Sequence, residues 1–200
     1  MKIQDDLTKY ISTALNNTLP EKTKIKTRFH LLDAIVSILT GRLLPPGQKG
    51  FNFSKNQGGV QEATLLGNNI KVSAINAAFS NGMAAHANET DDSHTKGRFH
   101  PGCAIIPTTL AIAEKENLSS EEIFKGIALG YDVGVRFTTS LGYKTPKTSI
   151  FATHSIGPIF GSAASAGALL KLTHEQCNYC LLYTSPSPRD QRGSRMPASA

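Results

Sequence analysis

The stretch that decides the fold spans residues 155–171 and reads SIGPIFGSAASAGALLK. Gly, Ala and Ser fill most of it, with a few large apolar residues between them. A second stretch, SAINAAFSNGMAAHAN at residues 73–88, has the same character. Because small side chains let neighbouring helices approach closely, the two stretches predict an all-α protein, a compact bundle of small-residue-rich helices.

Hydrophobic residues recur at helical spacing on both sides of these stretches and predict further helices. The predicted helices cover residues 4–18, 21–40, 105–116, 120–139 and 174–182. Ser73 is a predicted N-cap, and Ser119 with Glu122 predicts a capping box. A short β-hairpin is predicted near residues 63–72, around a turn at Gly67.

The predicted helix 21–40 has one apolar face, which comprises Ile25, Phe29, Leu32, Ile35, Val36 and Leu39. After it, Pro45-Pro46-Gly47 predicts a loop that continues through the polar, Gly-rich residues 48–59. Residues 143–154 are predicted to form a second loop. We also expect exposed apolar patches on the isolated chain.

The composition is that of a globular protein: 200 residues, of which 40% are hydrophobic and 18% charged, with a net charge of +6. The densest basic run, Lys22 to Arg28, has no interleaved aromatic residues. A solvated helix face therefore explains it better than a nucleic-acid site, and no nucleic-acid partner is predicted. No apolar stretch is long enough to span a bilayer, so no membrane partner is predicted.

The N-terminus and the cysteines indicate a cytoplasmic location. The first ten residues, MKIQDDLTKY, carry acidic groups and lack the apolar core of a secretory signal. The odd number of cysteines, three, then indicates reduced thiols. Cys177 and Cys180 form a single CxxC pair without the second pair that a zinc site requires, so we interpret them as ordinary buried cysteines.

The last residues, 183–200, read YTSPSPRDQRGSRMPASA and have no hydrophobic periodicity. Their Pro, Ser and Arg content predicts a disordered tail, which leaves residues 1–182 as the helical domain. The tail also resembles the translated adapter sequence found in some assembled transcripts. We therefore expect non-native sequence from just after Leu182 and an incomplete domain before it, the alternative being a genuine flexible tail.

Residues 87–107, ANETDDSHTKGRFHPGCAIIP, hold three carboxylates, two histidines and two basic side chains between apolar helical stretches. A second polar island lies at Thr153-His154-Ser155. Imidazoles with an ordinary pKa near ~6.5 can act as general base and general acid at neutral pH. The concentration of titratable groups therefore predicts a site that moves protons on an anionic substrate.

Position and chemistry suggest a role for each group in this site. A helix that continues through His86 would place His86, Glu89 and Ser93 on one face. His100 precedes Pro101, so its backbone is biased towards an extended conformation that turns the imidazole off the helix end. The helix that starts after Pro101 offers unpaired N–H groups to an anion. Ser93, Thr95 and Ser155 are candidates for holding substrate oxygens, and Lys96 and Arg98 for attracting carboxylates.

Several alternatives remain open for these residues. Asp91 and Asp92 can also be a helix cap or a solvated pair, and Lys96 and Arg98 ordinary surface charges. A metal site of Asp91, Asp92, His94 and His100 lacks the i, i+4 spacing of ligands on a helix. We therefore predict no metal and no cofactor.

Four motifs carry a resemblance to a known family: AAFSNGMAAHANETDDSH, HPGCAIIPTTLAIAE, EEIFKGIALGYDVGVRF and FATHSIGPIFGSAASAGALLKLTHEQ. They resemble the MmgE/PrpD family in order and spacing, over roughly residues 5–182. That family includes 2-methylcitrate dehydratase, cis-aconitate decarboxylase and iminodisuccinate epimerase, which act on small polycarboxylates without a metal. The resemblance implies a homodimer at full length, with further lysines, a tyrosine and an α/β domain beyond Leu182.

The resemblance also implies the site residues. The family's Asp-x-Asp-Asp-Thr element matches residues 89–93, with Glu89 and Ser93 in place of Asp and Thr. The family's two active-site histidines match His100 and His154. The predicted catalytic set is therefore His100, His154, Glu89, Asp92 and Ser93. The predicted substrate-binding set is Asp91, Thr95, Lys96, Arg98 and Ser155, of which the last four are chosen for the chemistry of their side chains.

Three functions follow as hypotheses. The first is a fragment of a lyase of the 2-methylcitrate dehydratase type, a hydro-lyase in which His100 or His154 removes the C–H proton and the other assists departure of hydroxide. The second keeps the family but changes the reaction to decarboxylation or epimerisation. The third is a non-catalytic helical interaction module. The truncated chain itself is expected to be inactive.

Overall fold

The computed structural model describes residues 2–142 and 152–184. In this part of the chain, eight α-helices and one two-stranded antiparallel sheet form the fold. The elements are α1 (Lys2–Thr13), α2 (Glu21–Gly41), α3 (Pro45–Gln57), β1 (Ala63–Leu65), β2 (Ile70–Val72), α4 (Ala74–Ala85), α5 (Gly102–Lys115), α6 (Ser120–Ser140), α7 (Thr153–Leu169) and α8 (His174–Thr184). A 3-10 turn, Ala14–Asn16, follows α1. The all-α prediction with a small hairpin is confirmed.

Most of the predicted loop 143–154 and of the predicted tail 183–200 lies outside the described residues. At the edges of these ranges, Thr153 already belongs to α7, and Tyr183 and Thr184 end α8.

Residues 45–57 correct one prediction, because they form α3 rather than a loop. Proline is well suited to the first turn of a helix, where its missing N–H would have no partner and its fixed φ is already helical. Leu44 before it is extended, as a residue preceding proline prefers. The helix ends at Gly58, whose φ of 59° suits glycine.

The predicted caps and hairpin are present. The Ser73 hydroxyl accepts a hydrogen bond from the Asn76 backbone N–H, and Ser119 and Glu122 form the capping box. In the hairpin, Ala63 pairs with Val72 and Leu65 with Ile70. These contacts fix where α4 and α6 begin.

The centre of the molecule is the close contact between α6 and α7. A Cβ atom on Gly161 would lie 2.7 Å from the Gly130 carbonyl oxygen, and a Cβ atom on Gly134 would lie 2.7 Å from that of Gly157. These helices therefore touch backbone to backbone, which the Gly-rich sequence predicted. Larger side chains, among them Ile11, Leu129, Val133 and Phe160, fill the core around this contact.

The apolar face of α2 is largely exposed. We call the residues Ile25, Phe29, Leu32, Val36 and Leu39 the α2 stripe; Phe29 is 68% exposed and Leu32 59% exposed. The opposite face, which contains Ala34, Ser37, Ile38 and Gly41, packs inward instead. Small residues on that face let α2 approach α4 closely, since a Cβ atom on Gly41 would lie 1.9 Å from the Ala84 carbonyl oxygen.

Two of the cysteine predictions can be compared with the structure. Cys177 is buried in the main core cluster, as expected of an ordinary buried cysteine, whereas Cys180 is only partly buried. Cys103, Cys177 and Cys180 form no disulfide bond within the described residues. None of the helices in residues 2–142 and 152–184 is long and apolar enough to cross a membrane.

The contact between α6 and α7 predicts opposite results for two glycines of α7. Gly161→Ala should lower the free energy of unfolding by about 1–3 kcal/mol, because its Cβ would meet backbone. Gly167→Ala is the matched control, since its nearest neighbour lies at 3.5 Å, and it should be neutral or stabilising by up to about 1 kcal/mol. Urea denaturation followed by circular dichroism measures both. Equal effects of the two substitutions would contradict this packing.

The α2 stripe predicts strong binding of a hydrophobic fluorescent dye to the 200-residue chain. The double variant Phe29→Gln, Leu32→Gln should lose most of the dye fluorescence and keep its helical circular dichroism, because both side chains are exposed. Ile3→Gln removes an apolar side chain that is 85% exposed on α1 and serves as the control. Dye fluorescence that falls equally in both variants would show that the stripe is not the binding surface.

Candidate functional site

The site is built on the turn-rich segment between α4 and α5. The predicted continuation of a helix through His86 is wrong: α4 ends at Ala85, His86 is its C-cap, and Glu89 has a φ of 52°. The helix cannot continue because Glu89 adopts a left-handed conformation. His86, Glu89 and Ser93 therefore do not share a helical face.

A tight turn closes this segment on itself. His94 and Phe99 form an isolated antiparallel bridge, in which the His94 N–H donates to the Phe99 carbonyl at 2.9 Å. The Gly97 N–H donates to His94 Nδ1 at 2.9 Å, so this ring stabilises its own turn. The turn presents Phe99 to the core and His100 directly after it.

Phe99 anchors the segment to the helices below. Its ring is 1% exposed and fills the space left by Gly157, whose Cβ would lie only 2.8 Å from three ring atoms. The Thr153 hydroxyl donates to the Arg98 carbonyl at 2.6 Å and ties the start of α7 to the same turn. Together these contacts bring His154 to His100.

Three imidazoles form a row, which we call the imidazole row: His86, His100 and His154. The ring centroids of His86 and His100 are 4.9 Å apart, and those of His100 and His154 are 5.9 Å apart. The side chain of His86 is 44% exposed and that of His100 is 21% exposed. The structure thus brings the two predicted catalytic histidines together and adds a third.

Asp91 lies beneath the imidazole row with a fully buried side chain. Its Oδ1 is 3.1 Å from His86 Nδ1, and its Oδ2 is 3.5 Å from His100 Nδ1. The first distance is a hydrogen bond; the second is an electrostatic contact, because His100 Nδ1 has no hydrogen-bond partner among the described residues. Burial under two rings suits a residue that orients imidazoles better than one that touches a substrate.

Asp92 points the other way and is held by three donors. Its Oδ1 accepts from the Gly102 N–H at 2.8 Å, and its Oδ2 accepts from the Tyr131 hydroxyl at 2.7 Å and contacts His30 Nδ1 at 2.8 Å. Asp92 thus occupies the start of α5, where we had predicted free N–H groups for a substrate anion.

The electrostatics of Asp92 and its neighbours follow from these contacts. Burial alone would raise the pKa of Asp92, but the bonds from His30, Tyr131 and Gly102 outweigh it and lower the pKa below its usual value. Burial and the nearby Asp91 and Asp92 carboxylates raise the pKa of the Cys103 thiol to about 12. Burial and Asp92 also raise the pKa of Tyr131.

The remaining predicted site residues lie on the exposed surface: Glu89, Ser93, Thr95, Lys96, Arg98 and Ser155. Within the described residues, the side chains of Glu89, Ser93, Thr95, Lys96 and Ser155 make no hydrogen bond or ion pair with Asp91 or the imidazole row; only the Glu89 backbone N–H donates to the His86 carbonyl, at 3.4 Å. His94 stabilises its own turn, and Asp91 and Asp92 face different partners. The alternative metal set of Asp91, Asp92, His94 and His100 is therefore not assembled.

Sequence reasoning missed His30 and Tyr131, and it assigned no role to His86 and Cys103. His30 and Tyr131 belong to α2 and α6, far from Asp92 in sequence, and no local pattern links them. An open depression of about 520 Å³ lies on their side of Asp92, lined by Phe29, His30, Leu32, Asp33, Val36 and Asp92. None of the three imidazoles lines this depression; His86 and His154 are exposed and His100 is partly buried.

Two comparisons with known proteins place this geometry in context. The chain matches the MmgE/PrpD N-terminal domain over residues 5–187. It is also similar to the cis-aconitate decarboxylase-like protein oryM of Aspergillus oryzae (strain ATCC 42149 / RIB 40), with 25% identity over 174 residues. The aligned part covers 84% of this chain and 36% of that protein, so the chain spans about a third of its relative's length.

The bonds to Asp92 predict how its removal changes stability with pH. The pKa of Asp92 is lower in the folded state than its ordinary value of 3.8. The ionised carboxylate therefore contributes fully to the free energy of unfolding above pH 3.8, and this contribution is lost as the pH falls through the folded-state pKa. Asp92→Asn should lower the free energy of unfolding by about 1–3 kcal/mol at neutral pH. The deficit should shrink below about pH 4.

Urea denaturation between pH 7 and pH 3 measures this difference. Asp6→Asn, which removes an exposed carboxylate of α1, is the control and should leave the free energy of unfolding nearly unchanged at both pH values. A deficit in Asp92→Asn that stays constant over this range would contradict the role of the ionised carboxylate.

Proposed function

The chain belongs to the MmgE/PrpD family, and we propose that it carries part of the active site of a lyase that acts on small polycarboxylates. The observation that carries the proposal is the imidazole row over the buried Asp91. The reaction proposed first is elimination of water by general acid–base catalysis, as in a 2-methylcitrate dehydratase.

The chemistry requires one group to remove a proton next to a carboxylate and another to protonate the leaving hydroxide. His100 and His154 are proposed for these two roles, because their ring centroids are 5.9 Å apart and both side chains are reachable from solvent, His154 being exposed and His100 partly buried. A neutral imidazole accepts the C–H proton and a protonated one donates to the departing oxygen. The geometry leaves open which ring does which.

Asp91 is proposed as a positioning residue rather than a substrate ligand. Its carboxylate is buried, contacts His86 and His100, and stabilises positive charge on either ring. Asp92, predicted from the sequence to be catalytic, is bonded to Gly102, Tyr131 and His30 and to none of the three imidazoles of the row. We now propose that it acts indirectly, by fixing the start of α5 and therefore Cys103 and His100.

Substrate binding is proposed to involve the exposed polar residues of the same segment. Lys96 and Arg98 supply positive charge for carboxylates, and Glu89, Ser93, Thr95 and Ser155 supply hydrogen-bonding groups. The surface position of the row supports a further proposal: in a protein as long as the Aspergillus relative, additional elements close over these residues and complete the site. This chemistry is proposed to need no cofactor.

Decarboxylation is the second candidate reaction. It is favoured by the similarity to a cis-aconitate decarboxylase-like protein. Both reactions use proton transfer at a carbon next to a carboxylate, so the same histidines serve either. Epimerisation, a third reaction known in the family, requires the same kind of proton transfer.

Assembly and location are also proposals. The exposed α2 stripe supports a homodimer of the full-length protein, because a row of large apolar side chains is the usual core of a subunit contact. A helical interaction module without catalysis would use the same surface. Cysteines that are not joined in disulfides support a reducing compartment such as the cytoplasm.

The proposed roles predict that His100→Ala and His154→Ala each lower kcat/KM at least about 10²-fold in a full-length version of the enzyme. His174→Ala is the matched control, since His174 lies on α8 and pairs with Asp5, away from the row. Near-wild-type rates in both His100→Ala and His154→Ala would rule out this mechanism.

Product analysis then separates the candidate reactions. The full-length enzyme is incubated with 2-methylcitrate and with cis-aconitate, and the products are identified by mass spectrometry. Loss of water indicates the dehydratase, and loss of carbon dioxide the decarboxylase. No conversion of these or related polycarboxylates would favour the interaction module.

A further inference from the structure

We propose that His86, Asp91 and Cys103 form a binding site for a borderline-soft divalent cation such as Zn²⁺, with His100 as the fourth ligand. One ligand atom from each of His86, Asp91 and Cys103 lies within 4.8 Å of the other two. His100 Nδ1 lies 3.5 Å from Asp91 Oδ2. The set offers two imidazole nitrogens, one carboxylate and one thiol.

The distances are close to those of a tetrahedral zinc site. Zinc binds nitrogen and oxygen at about 2.0–2.1 Å and sulfur at about 2.3 Å, so adjacent ligand atoms lie roughly 3.3–3.8 Å apart. Here Asp91 Oδ1 is 3.1 Å from His86 Nδ1. The ligand atoms of His86, Asp91 and Cys103 lie within 4.8 Å of one another, so a cation would have to draw the most distant pair about 1 Å closer. His100 lies outside this group of three and reaches it through its 3.5 Å contact with Asp91.

A second observation points to a ligand independently. His100 Nδ1 is buried and has no hydrogen-bond partner among the described residues, although it faces a buried carboxylate. Buried polar atoms are normally satisfied, so this nitrogen marks a position that a cation would fill. A cation at that point would also neutralise Asp91.

The backbone holds these ligands in place before any cation binds. His86 caps the end of α4, and Cys103 lies in the first turn of α5. The bond from the Gly102 N–H to Asp92 fixes that first turn, and the Cys103 thiol already donates to the His100 carbonyl at 3.2 Å. Little conformational entropy remains to be lost on binding.

The chemistry of the donors selects the kind of cation. Mg²⁺ and Ca²⁺ prefer oxygen ligands, whereas a mixed nitrogen, oxygen and sulfur set favours Zn²⁺ and Co²⁺. Binding requires the thiol to release its proton, so Cys103 becomes a thiolate only in the metal-bound state. The CxxC pair is a poorer candidate, because Cys177 is buried in an apolar cluster.

A cation here would inhibit the proposed lyase. Asp91 and His100 would be metal ligands and would no longer be able to take part in proton transfer. This consequence rests on the proposed function, but binding of the cation does not. Occupancy of the site is therefore tested on the 200-residue chain without any activity assay.

The test uses the untagged, reduced, metal-free 200-residue chain and a titration with Co²⁺. A tetrahedral site with one thiolate should give a sulfur-to-cobalt charge-transfer band in the near ultraviolet and intense bands in the visible range. Both should reach their maximum at one equivalent of Co²⁺. Both should disappear when Zn²⁺ displaces Co²⁺. Excess Mg²⁺ should change neither the near-ultraviolet band nor the visible bands, because it does not compete for this set of ligands. Cys103→Ser should remove the near-ultraviolet band, and His86→Ala should weaken Zn²⁺ binding at least about tenfold.

Cys180→Ser is the matched control, since it removes a thiol outside the site and should keep both bands. Circular dichroism checks that each variant is folded. The proposal is overturned if wild type gives no bands, if the near-ultraviolet band survives in Cys103→Ser, or if it vanishes in Cys180→Ser. Zinc binding by a chain whose full-length form processes no polycarboxylate would support the metal site and refute the proposed lyase.

Discussion

The contact of the Phe99 ring with Gly157 is the constraint on which the rest of the structure depends. The ring fills space that exists only because residue 157 has no side chain. It therefore fastens the turn between α4 and α5 onto the α6–α7 pair. The positions of the residues next to Phe99 are fixed as a result. The Arg98 carbonyl accepts a hydrogen bond from the Thr153 hydroxyl, and His100 lies next to His154.

The two consecutive carboxylates, Asp91 and Asp92, contact different sets of residues. Asp91 faces the imidazole row, and Asp92 faces His30 and Tyr131. Adjacent side chains in an irregular segment can point in different directions. One short stretch therefore contacts the imidazole row through Asp91 and holds the start of α5 through Asp92. The first turn of α5 is thereby secured by a carboxylate of the protein itself.

The sequence was sufficient for the helices whose signals are local. Ser73 and Ser119 are caps recognisable from a few residues, and the Gly-rich stretch at 155–171 indicated close packing correctly. The start of α3 was missed because a double proline reads as a breaker unless its position in the first turn is known. His100 and His154 were predicted to act together and do lie side by side, but the approach of His86 to them was not foreseen, because it requires α4 to stop at Ala85. The contact of Asp92 with Tyr131 joins residues 39 positions apart, beyond any local pattern.

The reciprocal contacts between α6 and α7 also constrain how this protein can evolve. At Gly161 and at Gly134 the nearest atom to an added carbon would be a main-chain oxygen of the opposite helix, whatever side chains lie around it. A mutation elsewhere can shorten or reorient a side chain, but it cannot shorten a backbone. Neither position therefore has a compensating substitution, and lineages that retain this seam must retain both glycines while the residues around them drift.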